Sequence, residues 1–276
     1  MRTGAGTRAA AVVDGELFDL GAADVGQWLA AGSPLRPGRH LGSLEEADLA
    51  PVVPRPSKIV CLGLNYRSHI EELGLEVPSY PTLFAKFASA LVGAGDPIVV
   101  PAASSRLDWE VELALVVGRE ARSVGVAEAG EVVAGYTVLN DVSARDFQHR
   151  TSQWLQGKTF DLTTPVGPVL ASADELGELG DLRLVCEVDG QVVQQASASD
   201  MVFGPAEVVS YVSSVMTLVP GDLISTGTPS GVGHSRRPPT YLRPGQVVRS
   251  RIEGIGELVN PCVAEGGPQD PRGRAQ

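Results

Sequence analysis

Acidic side chains recur at alternate positions in the segment LDWEVELALVVG. Asp108, Glu110 and Glu112 are each two residues apart, and in a β-strand such residues lie on one face. Three like charges on one face repel each other, so the arrangement costs free energy unless water or a cation compensates. The segment is therefore either an exposed strand face with solvated acids or one side of a metal site. Because every donor is an oxygen atom, the metal would be a hard ion such as Mg²⁺, Mn²⁺ or Ca²⁺.

A further carboxylate, Asp141, could complete such a metal site. It directly follows the apolar run YTVLN, and functional side chains commonly lie where a strand ends. Two carboxylates from one strand and one from another element would leave open positions on an octahedral ion for substrate and water. Asn140-Asp141 is equally consistent with a turn or a helix cap.

A histidine and a glutamate three residues apart could form an acid–base pair. The segment NYRSHIEE follows the run KIVCLGL and has the composition of a helix start, so His69 and Glu72 would lie on one helical face. The carboxylate would then orient the imidazole and raise its basicity, as in a base that activates water. The alternative is a surface histidine beside a solvated glutamate.

Several cationic and polar side chains could bind an anionic substrate. Arg145 and Gln148 lie in SARDFQ, Lys158 lies in GKTFD, and Lys86 lies in FAKFASA. Each could bind a carboxylate or a developing enolate, although such residues ordinarily lie on the surface.

A glycine-rich loop, STGTPSGVG from Ser225, follows an apolar run. Its backbone N–H groups and the Thr228 hydroxyl could hold an anion. It lacks the lysine and hydroxyl ending of a nucleotide P-loop, and no helix with a ribose-binding acid follows. A plain tight loop is the alternative.

Short strands must position these residues. Runs rich in β-branched residues are separated by glycine, proline and aspartate, a pattern typical of strands. The segment AEVVSYVSSVMTL from Ala206 has helical spacing, and Asp189-Gly190 predicts a hairpin turn. The sequence thus predicts a mainly antiparallel β fold with a few helices. The predicted strands are KIVCLGL, ELALVVG, VAGYTVL, RLVCEV, QVVQQA, DLIST and VVRSRI.

The first 50 residues form a separate unit in this prediction. AAAVV and ELFDL flank an Asp14-Gly15 turn, and the helical segment ADVGQWLAAG follows. The proline-rich PVVPRP is a stiff connector because proline holds its neighbours out of the α region. We therefore predict a small α+β domain over 1–50, a larger domain over 56–265 and a disordered tail over 266–276, which has few apolar residues.

Charge and composition restrict the partners. With 276 residues, 43% of them hydrophobic, the chain can bury one large core. A net charge of -11 disfavours nucleic acid and anionic membranes, and an anionic substrate would need locally gathered cations. No apolar run has the length of a membrane span, so a cytoplasmic location is predicted. Cys61, Cys186 and Cys262 lie in or beside apolar runs and are expected to be reduced, buried thiols without a chemical role.

Taken together and in order, these segments resemble the C-terminal domain of the fumarylacetoacetate hydrolase superfamily. The similarity extends from about residue 56 to residue 262, and RRPPTYLRPG further resembles the branch with fumarylacetoacetate hydrolase domain-containing proteins and bacterial diketo-acid hydrolases. The resemblance implies a twisted β-roll core and a homodimer. The matching segments are GLNYRSHIEE, LDWEVELALVVG, GYTVLNDVSARDFQ, QWLQGKTFD, TPVGP, VDGQVVQ, MTLVPGDLISTGTPSGVG and IEGIGELVN.

The resemblance also implies roles for individual residues. The metal-binding positions of the family fall on Glu110, Glu112 and Asp141, while Asp108 belongs to the same motif without a fixed role as a ligand. The catalytic His-Glu pair falls on His69 and Glu72. The substrate-binding positions fall on Arg145, Gln148, Lys158 and Thr228, with Lys86 as a further candidate. The implied cofactor is Mg²⁺ or Mn²⁺, and Ca²⁺ would suit the same oxygens in a crystal.

The expected function is metal-dependent hydrolysis of a carbon–carbon bond in an acylpyruvate or another 2,4-dioxo acid. His69 would activate water, and the metal and Lys158 would stabilise the pyruvate enolate that leaves. The alternative is decarboxylation or tautomerisation of a 2-oxo acid such as oxaloacetate, which passes through the same enolate without an attacking water. An inactive binding or structural protein is a third possibility, disfavoured because every polar position of the motif is present.

Overall fold

A computed structural model describes residues 1–274, which are built mainly from β-strands. The helices are α1 (Val25–Ala30), α2 (Arg67–Glu72), α3 (Val126–Ala129), α4 (Arg145–Gln148), α5 (Leu155–Lys158), α6 (Ala173–Leu176) and α7 (Pro205–Val215). One-turn 3₁₀ helices cover Ala88–Ala90, Gly130–Val132, Leu179–Asp181, Ala198–Asp200, Gly233–Ser235 and Pro271–Arg274. The strands are β1 (Arg2–Thr3), β2 (Gly6–Thr7), β3 (Ala10–Val13), β4 (Glu16–Asp19), β5 (His40–Ser43), β6 (Ile59–Gly63), β7 (Thr82–Lys86), β8 (Leu91–Val92), β9 (Ile98–Val100), β10 (Leu107–Asp108), β11 (Val111–Val117), β12 (Val133–Asn140), β13 (Ser143–Ala144), β14 (Thr164–Ala171), β15 (Arg183–Val188), β16 (Gln191–Ser197), β17 (Leu223–Ser225), β18 (Val247–Ile252) and β19 (Gly256–Ala264).

Two large sheets form the body of the molecule. One has seven strands in the order β7-β6-β17-β11-β12-β14-β8, and the other has five in the order β16-β15-β18-β19-β9. Most neighbours are antiparallel, whereas β17/β6, β14/β8 and β19/β9 are parallel. The sheets contact each other through β12 with β18 and β14 with β19. The predicted mainly antiparallel β fold with a few helices is confirmed, with these three parallel pairs in addition.

Burial along the strands shows where the core lies. In β15 and β18, buried residues alternate with more exposed ones, because only one face of the five-stranded sheet is covered. By contrast, β11 is buried at all seven positions because it has core on both sides. Leu113 and Leu115 pack in the cluster shared with the five-stranded sheet, and Ala114 and Val116 pack against Val52 and its neighbours.

The N-terminal unit packs on the outer face of the seven-stranded sheet. Both predicted hairpin turns form, with Asp14 at φ 51° and Asp189 at φ 51°, each followed by a glycine at positive φ. Val25 and Leu29 of α1 contact the outer cluster, to which the connector contributes Val53. The connector is thus partly buried, because its valines fill the space above β6.

The remaining predictions concern the tail and the cysteines. Residues 266–274 contain a turn and the last 3₁₀ helix; the predicted disorder of 266–276 and the domain bounds stay predictions, and residues 275 and 276 lie outside the described part. Cys61, Cys186 and Cys262 are buried free thiols, as predicted. No helix within residues 1–274 is long and apolar enough to cross a bilayer.

Candidate metal and substrate site

Three buried carboxylates converge where β11 and β12 meet. One oxygen from each of Glu110, Glu112 and Asp141 lies within 4.8 Å of the others, and all three side chains are buried. The antiparallel register pairs Val111 with Asn140, so Glu110 and Asp141 are neighbours, and the Asp141 N–H donates to the Glu110 carbonyl over 2.8 Å. The structure therefore brings the three predicted ligands together.

The predicted continuous strand through these acids is wrong at one point. Regular pairing stops after Asp108 and resumes at Val111, because the Asn140 side chain takes over as partner. Asn140 Oδ1 accepts from the Glu110 N–H over 2.9 Å, and its Nδ2 donates to Ser250 over 2.8 Å. The break turns the Glu110 carboxylate toward Asp141.

The alternative of a solvated acidic face is also excluded. Asp108, Glu110 and Glu112 are 0%, 4% and 1% exposed. Asp108 lies outside the carboxylate triad: its side chain accepts from the N–H groups of Gly233 (2.7 Å) and His234 (2.9 Å) and pairs with Arg145 Nε at 2.8 Å. Asp108 therefore anchors the glycine-rich loop and orients Arg145.

Two cationic side chains compensate the negative charge of Glu110. Arg145 Nη2 and Lys158 Nζ each lie 2.6 Å from a Glu110 oxygen, and Lys158 Nζ is also 2.8 Å from Asp141 Oδ2. Burial tends to raise the pKa of Glu110, but Arg145 and Lys158 outweigh it and lower that pKa to about 2. The pKa of Lys158 is raised, since the attraction of Asp141 and Glu110 exceeds the cost of burial. Glu110 is therefore held ionised.

Lys86 is not among the residues that line the cavity, and its role in substrate binding stays a prediction. Its ammonium group is fully buried behind Asp141, 2.5 Å from Oδ1 and 3.2 Å from the Val142 carbonyl. The antiparallel pairing of β7 with β6 places it there. This contact suits a residue that positions Asp141.

The surroundings of the Glu112 carboxylate indicate whether a divalent ion fits the site. Its Oε2 accepts from Ser225 Oγ (2.5 Å) and the Gly227 N–H (2.8 Å), and among the described residues no lysine, arginine or histidine forms an ion pair with it. Burial, and then repulsion from Asp141 and Glu110, raises the pKa of Glu112 well above its usual range. Carboxylate oxygens can each accept more than one bond. Three buried oxygen donors with one uncompensated charge fit a hard divalent cation.

The glycine-rich loop binds carboxylates of the protein itself. The Gly227 N–H is bonded to Glu112, and the Gly231 N–H donates to Glu72 Oε1 over 2.9 Å. Thr228 Oγ1 donates to the Val111 carbonyl and accepts from Gln194. The predicted anion cradle is thus largely occupied by the protein's own groups, although Thr228 still lines the cavity.

The His69–Glu72 pair forms on a helix, as predicted. Both residues lie on α2, and His69 Nδ1 is 3.1 Å from Glu72 Oε2. Burial tends to raise the pKa of Glu72, but the hydrogen bonds with His69 and Gly231 outweigh it and lower that pKa. The ionised carboxylate fixes the imidazole and leaves Nε2 available to a ligand.

A cavity of about 160 Å³ is lined by seven of the predicted site residues, namely His69, Glu110, Glu112, Arg145, Gln148, Lys158 and Thr228. This volume is below that of pockets for drug-sized ligands, so it suits a small acid. Glu110, Glu112 and Arg145 lie at its buried end, while His149 is exposed at its mouth. Sequence reasoning missed ten residues of the cavity wall, whose apolar or isolated positions carried no distinguishing signal: Leu62, Gly63, Leu64, Leu73, Leu75, Phe84, His149, Trp154, Val232 and His234.

Close packing at Gly157 leads to a first prediction. A Cβ at this position would lie 2.5 Å from the backbone nitrogen of Gln148. Gly157→Ala should therefore push α5 away from α4, displace Lys158, lower the unfolding free energy by about 1–3 kcal/mol and reduce kcat/KM. Urea unfolding and kinetics measure both effects. Gly130→Ala is the matched control, because a Cβ there meets nothing within 4 Å; equal effects of the two changes would contradict the packing argument.

Comparisons with known proteins show which proteins this chain is similar to. The family model described as Fumarylacetoacetate (FAA) hydrolase C-terminal matches residues 58–263. Oxaloacetate tautomerase Fahd2a, mitochondrial, of Rattus norvegicus is 43% identical over 236 residues, which cover 85% of this chain and 74% of that protein. Fumarylacetoacetate hydrolase from Exiguobacterium antarcticum has a TM-score of 0.87 at 32% identity, covering 96% and 98%. Fumarylpyruvate hydrolase from Pseudomonas aeruginosa, in complex with Mn²⁺ and pyruvate, has a TM-score of 0.71 at 30% identity, covering 80% and 94%.

Proposed function

The chain belongs to the fumarylacetoacetate hydrolase family, and from this membership we propose that it is a divalent-metal-dependent tautomerase of oxaloacetate or a similar small 2-oxo acid. The observation that carries the proposal is the buried group of three carboxylates with Arg145 and Lys158 beside it, of which Glu110 and Glu112 line a small cavity. Glu110, Glu112 and Asp141 would hold the ion, Mg²⁺ or Mn²⁺. When bound, the ion would supply chelation and Lewis-acid stabilisation of developing negative charge.

The cations of the cavity would bind and orient the acid end of the substrate. Arg145 is fixed by Asp108 and Glu110, and its Nη1 donates to Gln148 Oε1 over 2.9 Å. A rigid guanidinium with an adjacent amide is suited to a carboxylate. Lys158, buried and charged, would stabilise negative charge on the enolate oxygen, which is where preorganised charge lowers a barrier most.

His69 would move the proton. With Nδ1 held by Glu72, Nε2 would take a proton from the carbon next to the 2-oxo group, and that C–H electron pair would become the new carbon–carbon double bond. The enolate oxygen would then take up that proton from Nε2 to give the enol, and the reverse sequence would restore the ketone. Leu73, Leu75 and Trp154 line the same cavity and would limit access of water.

A second candidate is cleavage of an acylpyruvate. It is favoured by the same His69–Glu72 pair, which could activate water, and by the similarity to fumarylpyruvate hydrolase. Tautomerisation is preferred because the related tautomerase is more similar in sequence, at 43% against 30% identity. A homodimer and a cytoplasmic location remain predictions for this chain. The rat relative, by its name, is mitochondrial.

A direct assay separates the two candidates. Enol-oxaloacetate is mixed with purified protein, and the loss of enol absorbance is followed with Mg²⁺, with Mn²⁺ and with EDTA. We expect metal-dependent acceleration over the buffer rate, while a panel of acylpyruvates is cleaved slowly or not at all. Efficient acylpyruvate cleavage together with a background rate on oxaloacetate would overturn the tautomerase proposal in favour of the hydrolase.

A further inference from the structure

Two histidines form a pair at the mouth of the cavity. His149 follows α4 directly, and His234 lies in the 3₁₀ helix Gly233–Ser235. Their ring centroids are 5.3 Å apart with the planes inclined by 32°. Both rings line the cavity that contains Glu110 and Arg145, although neither histidine has a part in the proposed chemistry.

Backbone hydrogen bonds connect the two histidines to Arg145 and Asp108. The His149 N–H donates to the Arg145 carbonyl over 3.2 Å, and the His234 N–H donates to Asp108, which in turn holds the Arg145 guanidinium. Arg145 then contacts Glu110. Backbone hydrogen bonds of both histidines thus lead to Arg145 or its partner Asp108, and Arg145 contacts one carboxylate of the triad within the same cavity.

The electrostatic surroundings of the pair favour an anion. Burial, then His234, Arg145, Lys158 and Arg106, lowers the pKa of His149. Burial, then Arg145 and Arg106, lowers the pKa of His234 against the opposing attraction of Asp108. The cations that make these rings hard to protonate also create a positive potential at the mouth, in a chain whose net charge is -11.

Neutral imidazoles at this place can still donate hydrogen bonds. His234 Nδ1 lies 3.0 Å from the Tyr241 hydroxyl, so Nε2 is the nitrogen left for a ligand. A carboxylate has two oxygens and can accept one N–H from each ring. The cavity also has apolar wall residues, among them Leu64, Leu75 and Val232, so a ligand with acid groups at both ends and a short hydrocarbon between them matches its mixed polarity.

We propose that His149 and His234 bind the second carboxylate of the substrate, which makes this enzyme selective for 2-oxo diacids over 2-oxo monoacids. The inference rests on the proposed function, because it assumes that the 2-oxo acid end lies at Glu110, Glu112 and Asp141. It assigns to the two histidines binding, with no part in proton transfer. Loss of either should therefore raise KM for a diacid more than it lowers kcat.

The variants are His149→Leu, His234→Phe and the double variant, with His40→Leu as the matched control. His40 is an exposed histidine of the N-terminal sheet that pairs with Glu16, far in the chain from the cavity residues. Tautomerisation of oxaloacetate is measured over a range of concentrations, and oxalate, which has only the chelating end, serves as a competitive inhibitor. We expect KM for oxaloacetate to rise about tenfold or more in each single variant, while the inhibition constant of oxalate stays unchanged. In His40→Leu, KM for oxaloacetate should equal the wild-type value. An unchanged KM in the double variant would overturn the proposal.

A binding experiment keeps the inference testable if oxaloacetate is not the substrate. In the presence of Mg²⁺, calorimetry compares 2-oxoglutarate with 2-oxopentanoate, which have the same number of carbons and differ in the second carboxylate. The wild type should bind the diacid more tightly, and the double variant should lose that preference. If the preference persists in the double variant, or is absent in the wild type, the pair does not recognise a carboxylate, whatever the reaction is.

Discussion

Replacing Glu112 by glutamine is expected to abolish metal-dependent turnover while the metal-free protein keeps or gains thermal stability. Glutamine has nearly the same shape and retains an oxygen for the bonds from Ser225 and Gly227. It removes the one carboxylate of the triad that has no cationic partner among the described residues, so it removes repulsion with Asp141 and Glu110. Losing a ligand should cost kcat/KM about 10³-fold or more, because the ion is expected to stabilise the developing charge by several kcal/mol.

Two measurements separate this effect from misfolding. Melting temperatures are compared with and without Mg²⁺: the ion should raise the value for the wild type and have little effect on Glu112→Gln. Glu257→Gln serves as the matched control, because Glu257 lies on β19 at the surface, paired with Arg249. Turnover within a few-fold of wild type in Glu112→Gln, or an undiminished response of its melting temperature to Mg²⁺, would contradict a role for Glu112 in metal binding.

The carboxylate triad could be predicted because two of its members are close in sequence. Alternation with period two placed Glu110 and Glu112 on one side of a strand, and a strand end placed Asp141 nearby. The three carboxylates converge despite the break after Asp108, where the Asn140 side chain accepts from the Glu110 N–H in place of a backbone partner. That substitution of a side chain for a ladder bond leaves no trace in hydrophobic periodicity.

The position of Lys86 is a different case. The sequence does not tell on which side of a carboxylate a nearby lysine lies. The pairing of β6 with β7 places Lys86 against Asp141, outside the lining of the cavity. The glycine-rich loop is a similar case, because its anions turned out to be Glu112 and Glu72. Partners chosen by tertiary structure are outside what local patterns can specify.

The histidine pair shows the same limit most clearly. His149 follows a predicted substrate-binding segment and His234 follows the glycine-rich loop, so the two lie far apart in the chain. They meet because Asp108 contacts both segments. It accepts from the Gly233 and His234 N–H groups, and it pairs with Arg145, which lies shortly before His149. A buried aspartate thus determines where two loops come together, which no spacing in the sequence reports.

The last prediction assigns the proton carrier and the charge stabiliser through three reactions of the same site. Tautomerisation of oxaloacetate needs both proton transfer and stabilisation of the enolate. Cleavage of an acylpyruvate, if it occurs, needs an activated water and the same stabilisation. Decarboxylation of oxaloacetate breaks the bond to the departing carboxylate, and the resulting enolate can take its proton from solvent. It therefore needs stabilisation of charge alone.

His69→Ala and Lys158→Met should consequently give different patterns. Without His69 the first two reactions should fall by about 10²- to 10⁴-fold, the usual contribution of a positioned base, while decarboxylation changes far less and serves as an internal control for an intact metal site. Without Lys158 all three should fall, by about 10²- to 10³-fold, as when one donor to a developing oxyanion is removed. Lys158 contacts Glu110 and Asp141, so its loss leaves those carboxylates less compensated, and affinity for Mg²⁺ should hold or increase.

The measurements are kcat/KM for each reaction and a Mg²⁺ titration of each variant. Because Glu72 acts through His69, at 3.1 Å from Nδ1, Glu72→Gln should reproduce the His69 pattern with a smaller loss. Should His69→Ala tautomerise oxaloacetate within a few-fold of wild type, another group carries the proton, and the His69–Glu72 pair is left with a role only in binding or in hydrolysis. Should Lys158→Met lose Mg²⁺ affinity in step with all three activities, Lys158 would organise the carboxylates, and its assignment to the enolate oxygen would be withdrawn.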